Sequence, residues 1–206
     1  MNKMLKLAIL GVAACGVFAL TGCGGDKAAS SSAASSAAGQ GALLQKIKKD
    51  GKLVVGTAPG FPPYEFLDTS VKDKKSITGI DIKVAEAVAK KLGVKLEVQD
   101  MTFQSLLASI TTGKIDIAIS AITPTAEREK TVDFSDSYLV GKHTLLIRKE
   151  DAGKYKTLAD FNGKKIAVQK SSLQEKLTNE QIKDAQVVAL TKVPDALLEL
   201  QQGKVD

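Results

Sequence analysis

The strongest constraint on the fold lies between residues 52 and 120, where short β-branched runs alternate with segments of helical period. Residues 52–57 (KLVVGT) read as a strand. Residues 83–92 set Val84, Ala85, Val88, Ala89 and Leu92 on one helical face before Gly93. A strand over 95–99, a helix over 103–112 stopped by Gly113, and a strand over 115–120 (IDIAIS) follow. Strands that alternate with helices need crossover connections, so this series predicts a largely parallel sheet in an α/β fold. The pattern restarts after Gly141. Strands are expected over 143–148, 165–169 and 186–190, with helices over 172–178 and 193–202. Two α/β units joined through residues 138–142 are the natural parse.

An internal echo supports two related units. Residues 107–116 read LASITTGKID and residues 197–206 read LLELQQGKVD, each a helix, a glycine stop and the entrance to a strand. The first copy runs on into the apolar strand IAISAI, whereas the second reaches only Asp206. The expectation is therefore a second unit cut before its last strand.

Across 206 residues, 44% apolar and 25% charged, disorder throughout and a collagen-like repeat are excluded. The net charge of +6 is spread among interspersed acids and bases, so nucleic-acid binding is not indicated. The first forty residues stand apart. Lys3 and Lys6 precede an uncharged run that ends in Leu20-Thr21-Gly22-Cys23, which resembles the lipobox of bacterial lipoproteins. That resemblance implies a leader over 1–22, cleavage before Cys23 and lipidation of Cys23. Without the leader the 29 basic residues become 27 against 23 acids, a net +4, and one cysteine remains, so no intrachain disulfide is possible. Residues 24–41 are almost wholly Gly, Ala and Ser, with Asp26 and Lys27 as the charges. Such a composition predicts a flexible tether over 23–41, reaching about 23 Å as a random coil. The implied location is extracytoplasmic, anchored to the cell membrane by lipid.

Chemistry-bearing residues cluster in three loops that follow strands, where open α/β sheets bind ligands. The first, 58–66 (APGFPPYEF), combines prolines with aromatics. The second, 120–128 (SAITPTAER), offers Thr123 as an N-cap and Pro124 at a first helical position, so free N–H groups would face an anion there. Arg128, one turn on, can present a planar fork to a carboxylate. The third, 169–175 (QKSSLQE), places hydroxyls and amides at a helix start.

These residues in this order are recognisable. The stretches VGTAPGFPPYEF, GIDIKVAEAVAKKLG, MTFQSLLASITTGKIDIAISAITPTAEREKTVDFSDSY and GKKIAVQKSSLQE resemble extracytoplasmic solute-binding proteins of polar amino-acid ABC importers, over 51–206. The resemblance implies the two-lobed, type II periplasmic-binding-protein fold, here with lobe 1 over 42–137, a hinge crossing over 138–142 and an incomplete lobe 2 over 143–206. It implies that Arg128, Ser120 and Thr123 hold a ligand α-carboxylate and that the backbone of Ser120 and Ala121 frames it. By the same resemblance Phe61 and Phe103 sandwich the ligand side chain, and Gln169 and Ser172 close from the second lobe. The family usually has Gly-Thr or Gly-Ser where this chain has Ser171-Ser172, which puts that backbone approach in doubt. Basic-amino-acid binders often carry an acid in the first loop; here the stretch is Ala58-Pro59-Gly60, which favours a neutral polar ligand such as glutamine or cystine.

The partners implied are a small amino acid, the membrane subunits of an ABC importer and the membrane itself, with a monomeric protein, no cofactor, no metal and no catalysis. The competing reading is a periplasmic enzyme on the same fold, of the cyclohexadienyl dehydratase kind, or a ligand-sensing domain. Plainer readings exist for single residues. Phe61 and Phe103 could be core, and Arg128 could pair at the surface with Glu127 or Asp133. His143 reads as structural, and Asp133, Ser135 and Asp136 as a turn-and-hinge sequence. Asp81 and Asp116 read as element ends, and Glu65 as a solvated position at a strand start.

Overall fold

The computed structural model describes residues 32–70 and 76–206. Helix α1 (Ser32–Asp50) leads into the central strand β1 (Lys52–Thr57), and Gly39–Asp206 makes up one compact unit. The expected leader and Cys23 lie outside the described residues. The expected tether is corrected over 32–41, which belongs to α1. Its many alanines are the strongest helix formers, and the helix they extend is fixed further on by Ile47, buried in the core.

The first sheet has the order β4-β1-β5 and is wholly parallel. Strand β4 (Lys95–Asp100) pairs with β1 along its length, from Lys52 opposite Lys95 to Thr57 opposite Asp100. As the middle strand of a covered parallel sheet, β1 is buried at every position after Lys52. Helix α2 (Ile80–Leu92) returns between β1 and β4, so Ala85 and Ala89 meet Leu53, Val55 and Ile47 in one core cluster. Helix α3 (Leu106–Thr111), preceded by a 3₁₀ turn at Phe103–Ser105, leads to β5 (Ile117–Ala118). The expected strand over 115–120 is thus paired at its centre; Asp116 N–H to Val54 O at 2.9 Å and Ile119 N–H to Gly56 O at 3.0 Å extend the ladder. A short antiparallel hairpin, β2 (Phe66–Asp68) with β3 (Ser76–Thr78), stands between β1 and α2.

The second sheet pairs β6 (Lys165–Gln169) and β7 (Gln186–Leu190) in parallel, with α4 (Leu173–Gln181) between them and α5 (Val193–Gln201) after β7. Phe161, Ile166, Val168 and Ile182 form its core, and Leu145 and Ile147 pack against it. The strand expected over 143–148 is a correction. Leu145 and Ile147 keep the inward alternation of a strand, yet among the described residues no ladder forms along them. Alternation fixes which side chains turn inward; only a hydrogen-bonding neighbour makes a strand.

The sequence echo is a structural one. Asp116 donates its N–H to Val54 O and accepts the Val54 N–H on Oδ2, both at 2.9 Å. Asp206 does the same to Lys165, donating at 2.9 Å and accepting on Oδ2 at 3.0 Å. Each aspartate clips the first strand of its sheet, β1 or β6, one turn after a glycine with φ near +70° (Gly113 and Gly203), a conformation that glycine adopts without strain.

Candidate functional site

A cavity of about 600 Å³ opens where the loops after β1, β5 and β6 meet the 138–142 segment. Phe61, Phe103, Ser120, Ala121, Thr123 and Arg128 line it from the first sheet's loops, and Gln169 lines it from the end of β6. Seven of the eight expected ligand residues therefore share one cavity. The eighth, Ser172, is corrected: it is buried and not part of the lining, because its hydroxyl caps α4 by accepting the Glu175 N–H at 3.1 Å.

Arg128 is the centre of the arrangement. Its Nη1 donates to Thr123 O at 2.8 Å and its Nη2 to Ser171 O at 3.0 Å, while the guanidinium lies 5.6 Å from the Phe103 ring centroid. Two carbonyls and an aromatic face fix the fork without neutralising it. Neither Glu127 nor Asp133 forms an ion pair with it, and among the described residues no carboxylate does. Burial pulls its pKa down from the ordinary arginine value, a sign that the charge is held in a partly dry place without a counter-ion.

The second loop departs from expectation. Thr123 caps no helix: the segment forms a single 3₁₀ turn at Arg128–Lys130, and the hydroxyl beside the Arg128 N–H is that of Thr125, at 3.3 Å. One short turn sums too few peptide dipoles to make a positive helix end. Anion recognition here rests on the guanidinium. Ser120 also differs, since its hydroxyl is engaged twice, accepting the Ala58 N–H at 3.1 Å and donating to Glu65 Oε1 at 2.8 Å. The side chain expected on the ligand is tied into the wall.

Phe61 stacks on Tyr64 with ring centroids 5.1 Å apart, and the carbonyl of Glu65 accepts the N–H groups of both Gly60 and Phe61. The first loop is thereby a closed turn that presents Phe61 at the cavity. Within it, the reading of Glu65 as solvated is overturned: the side chain is 2% exposed and lines the cavity wall. Flanked by aromatics and placed on the inward face of the turn, it keeps its proton, and burial pushes its pKa up to about 9. Asp81 is at the start of α2, but it is also fully buried, accepting the Ala121 N–H at 2.7 Å and the Tyr138 hydroxyl at 2.9 Å.

The loop after β6 turns at Ser171, whose φ is +64°. That conformation aims its carbonyl at Arg128, and its N–H donates to Glu175 Oε2 at 2.6 Å. A serine thus occupies a left-handed position that glycine would hold without strain.

Residues 53–206 match the bacterial extracellular solute-binding proteins, family 3. The chain belongs to this family. The arginine-binding extracellular protein ArtP of Bacillus subtilis (strain 168) is 39% identical to this family 3 member over 177 residues, covering 86% of this chain and 60% of that relative. A substrate-binding protein of an amino acid ABC transporter from Streptococcus pneumoniae Canada MDR_19A, bound to L-arginine, superimposes with a TM-score of 0.77 at 42% identity, covering 80% of this chain and 68% of that one. An ancestral amino acid-binding protein, described as a precursor of cyclohexadienyl dehydratase, superimposes with a TM-score of 0.75 at 37% identity, covering 79% and 71%. The present family 3 chain thus spans about 60% of the length of the curated relative it matches. The expected α/β, periplasmic-binding-protein fold is the fold of these neighbours.

Proposed function

We propose that this family 3 protein binds a polar α-amino acid reversibly, without covalent chemistry, and presents it to the membrane subunits of an ABC importer. The observation that carries the reading is Arg128: a half-buried guanidinium at a cavity wall, held by two carbonyls and left without a carboxylate among the described residues. A charge so placed is stabilised most by an anion that enters the cavity, and an α-carboxylate matches its fork. Phe61 and Phe103 cover the ligand side chain, Thr123 joins Arg128 at the carboxylate, the Ser120 and Ala121 backbone frames the carboxylate and the α-amino group, and Gln169 approaches from the second lobe. Residues 42–137 act as one lobe and 143–206 as the other, closing about the 138–142 crossing. The protein works as a monomer.

The ligand side chain is the finer question. Ala58, Pro59 and Gly60 bring no acid to the cavity, and Glu65 holds its proton, which supports a neutral polar side chain. The arginine named in ArtP and bound in the streptococcal relative supports a cationic one. A thermal-shift panel of the twenty amino acids plus cystine and ornithine on the full chain separates them, since a ligand at a hundredfold its Kd stabilises by about 2.7 kcal/mol. A panel in which none of them raises the melting temperature overturns the reading.

The same proposal places the protein outside the cytoplasmic membrane, held through lipid on Cys23. Cys23→Ser then releases it to the soluble fraction; a variant that stays in the membrane refutes the anchor.

A further inference from the structure

At the cavity wall, two carboxyls, those of Glu65 and Asp81, form a pair to which amino-acid capture assigns no role. Oε1 of Glu65 accepts from Ser120, but Oε2 is buried with no donor. The neighbouring group is a second carboxyl, that of Asp81 from α2, whose N–H donates to Tyr64 O next to Glu65 and whose Oδ2 accepts from Ala121 next to Ser120. Both Asp81 oxygens already accept, Oδ2 from the Ala121 N–H and Oδ1 from the Tyr138 hydroxyl. Two ionised carboxylates in one dry pocket repel strongly, and here no cation offsets them: Asp81 and the Tyr138 phenol are the titratable groups that act on Glu65 or feel it among the described residues. A proton on Glu65 Oε2 removes one charge and turns the unpartnered oxygen into a donor toward Asp81.

We propose that Glu65 and Asp81 share one proton, and that this carboxyl pair is a positioning element fastening the Ser120–Ala121 wall to Tyr138 at the start of the crossing. Three features of the structure meet at the pair. Ala121 is held at φ +46°, a strained value for alanine, by the bond from its N–H to Asp81. Tyr138 is half exposed as a residue, 47%, while its hydroxyl donates to the buried Asp81. Gly79 lets the Asp81 N–H reach Tyr64 O at 3.0 Å, since a Cβ on residue 79 would stand 2.1 Å from that oxygen. The clamp therefore links the first loop, α2, the wall after β5 and the crossing. Removing the shared proton sets a second negative charge beside Asp81 and loosens the crossing, whichever solute occupies the cavity.

Carbon-13 NMR of the side-chain carboxyls, recorded on the full chain without added solute, tests this. One carboxyl is expected to stay protonated at pH 7 and to titrate far above the ordinary carboxylate range. Glu65→Gln, which keeps the hydrogen-bonding shape, deletes that signal and leaves the circular dichroism spectrum unchanged. Tyr138→Phe removes one donor to Asp81, strengthens the pull of Asp81 on the proton, and moves the midpoint to higher pH; a packing role for the ring would leave it in place. The proposal is overturned if every carboxyl ionises in the ordinary range, or if the high-pH signal survives Glu65→Gln or ignores Tyr138→Phe. Should Glu65→Gln fail to fold, the parent and Tyr138→Phe titrations still decide.

Discussion

Nη2 of Arg128 donates a hydrogen bond to the carbonyl oxygen of Ser171 at 3.0 Å, joining the loop after β5 to the loop after β6. With Thr123 O on the other nitrogen, the fork is oriented by neutral acceptors and keeps its charge available. Arg128→Ala is expected to cost about 2–5 kcal/mol of amino-acid binding, roughly thirtyfold to several thousandfold in Kd. Arg128→Lys recovers little, because a point charge cannot reproduce the planar fork. Calorimetry on both variants checks this.

Ser171 holds φ +64° for the sake of that carbonyl. Ser171→Gly relieves the strain and is expected to raise stability by about 0.5–1 kcal/mol. Urea denaturation of the two proteins at equal concentration measures it, and a loss of stability would mean that the serine side chain contributes more than its backbone costs.

The two clips differ in burial, and so in expected cost. Asp116 is 6% exposed and its carboxylate accepts both the Val54 N–H and Lys46 Nζ, at 2.9 and 3.0 Å. Asp116→Ala leaves the Val54 N–H unpartnered in the middle of the sheet, which costs about 1–3 kcal/mol. The same change at the less buried Asp206 costs less, because water can replace the lost acceptor of the Lys165 N–H. Hydrogen exchange at Val54 and Lys165 resolves the two effects.

Glu65 gives the stability of the protein a pH dependence. Its folded pKa is raised to about 9 from an ordinary 4.5, so between those values the folded chain binds a proton that the unfolded chain has lost. The contribution is complete below pH 4.5, falls as pH rises, and is gone above about pH 9. Glu65→Gln removes this slope, which denaturation midpoints taken from pH 5 to pH 10 will show.

Much of this architecture was legible in the sequence, and the exceptions share a cause. Strands β1, β4, β6 and β7 and the helices between them follow from period and glycine stops, because local pattern and tertiary need agree there. The cavity residues Phe61, Phe103, Arg128 and Gln169 were reachable because loops after parallel strands meet at one end of a sheet. Residues 143–148 have the alternation of a strand without a ladder, since pairing depends on a partner that no local pattern specifies. Glu65 departs from its reading for a related reason: a carboxyl beside aromatics reads as solvated until a hydroxyl and a second carboxyl from distant segments close over it. The only local signal was Glu65 lying between Tyr64 and Phe66 with no polar neighbour in sequence. Ser172 was assigned to the ligand, although the Ser-x-x-Glu spacing to Glu175 also marks a helix cap.

In the proposed function Arg128 receives an α-carboxylate. The most direct test is a calorimetric comparison, on the full chain, of the amino acid that gives the largest thermal shift with the amine formed by its decarboxylation. The amino acid is expected to bind saturably and the amine at least a hundredfold more weakly, a difference of about 2.7 kcal/mol. Equal affinity for the two would contradict it.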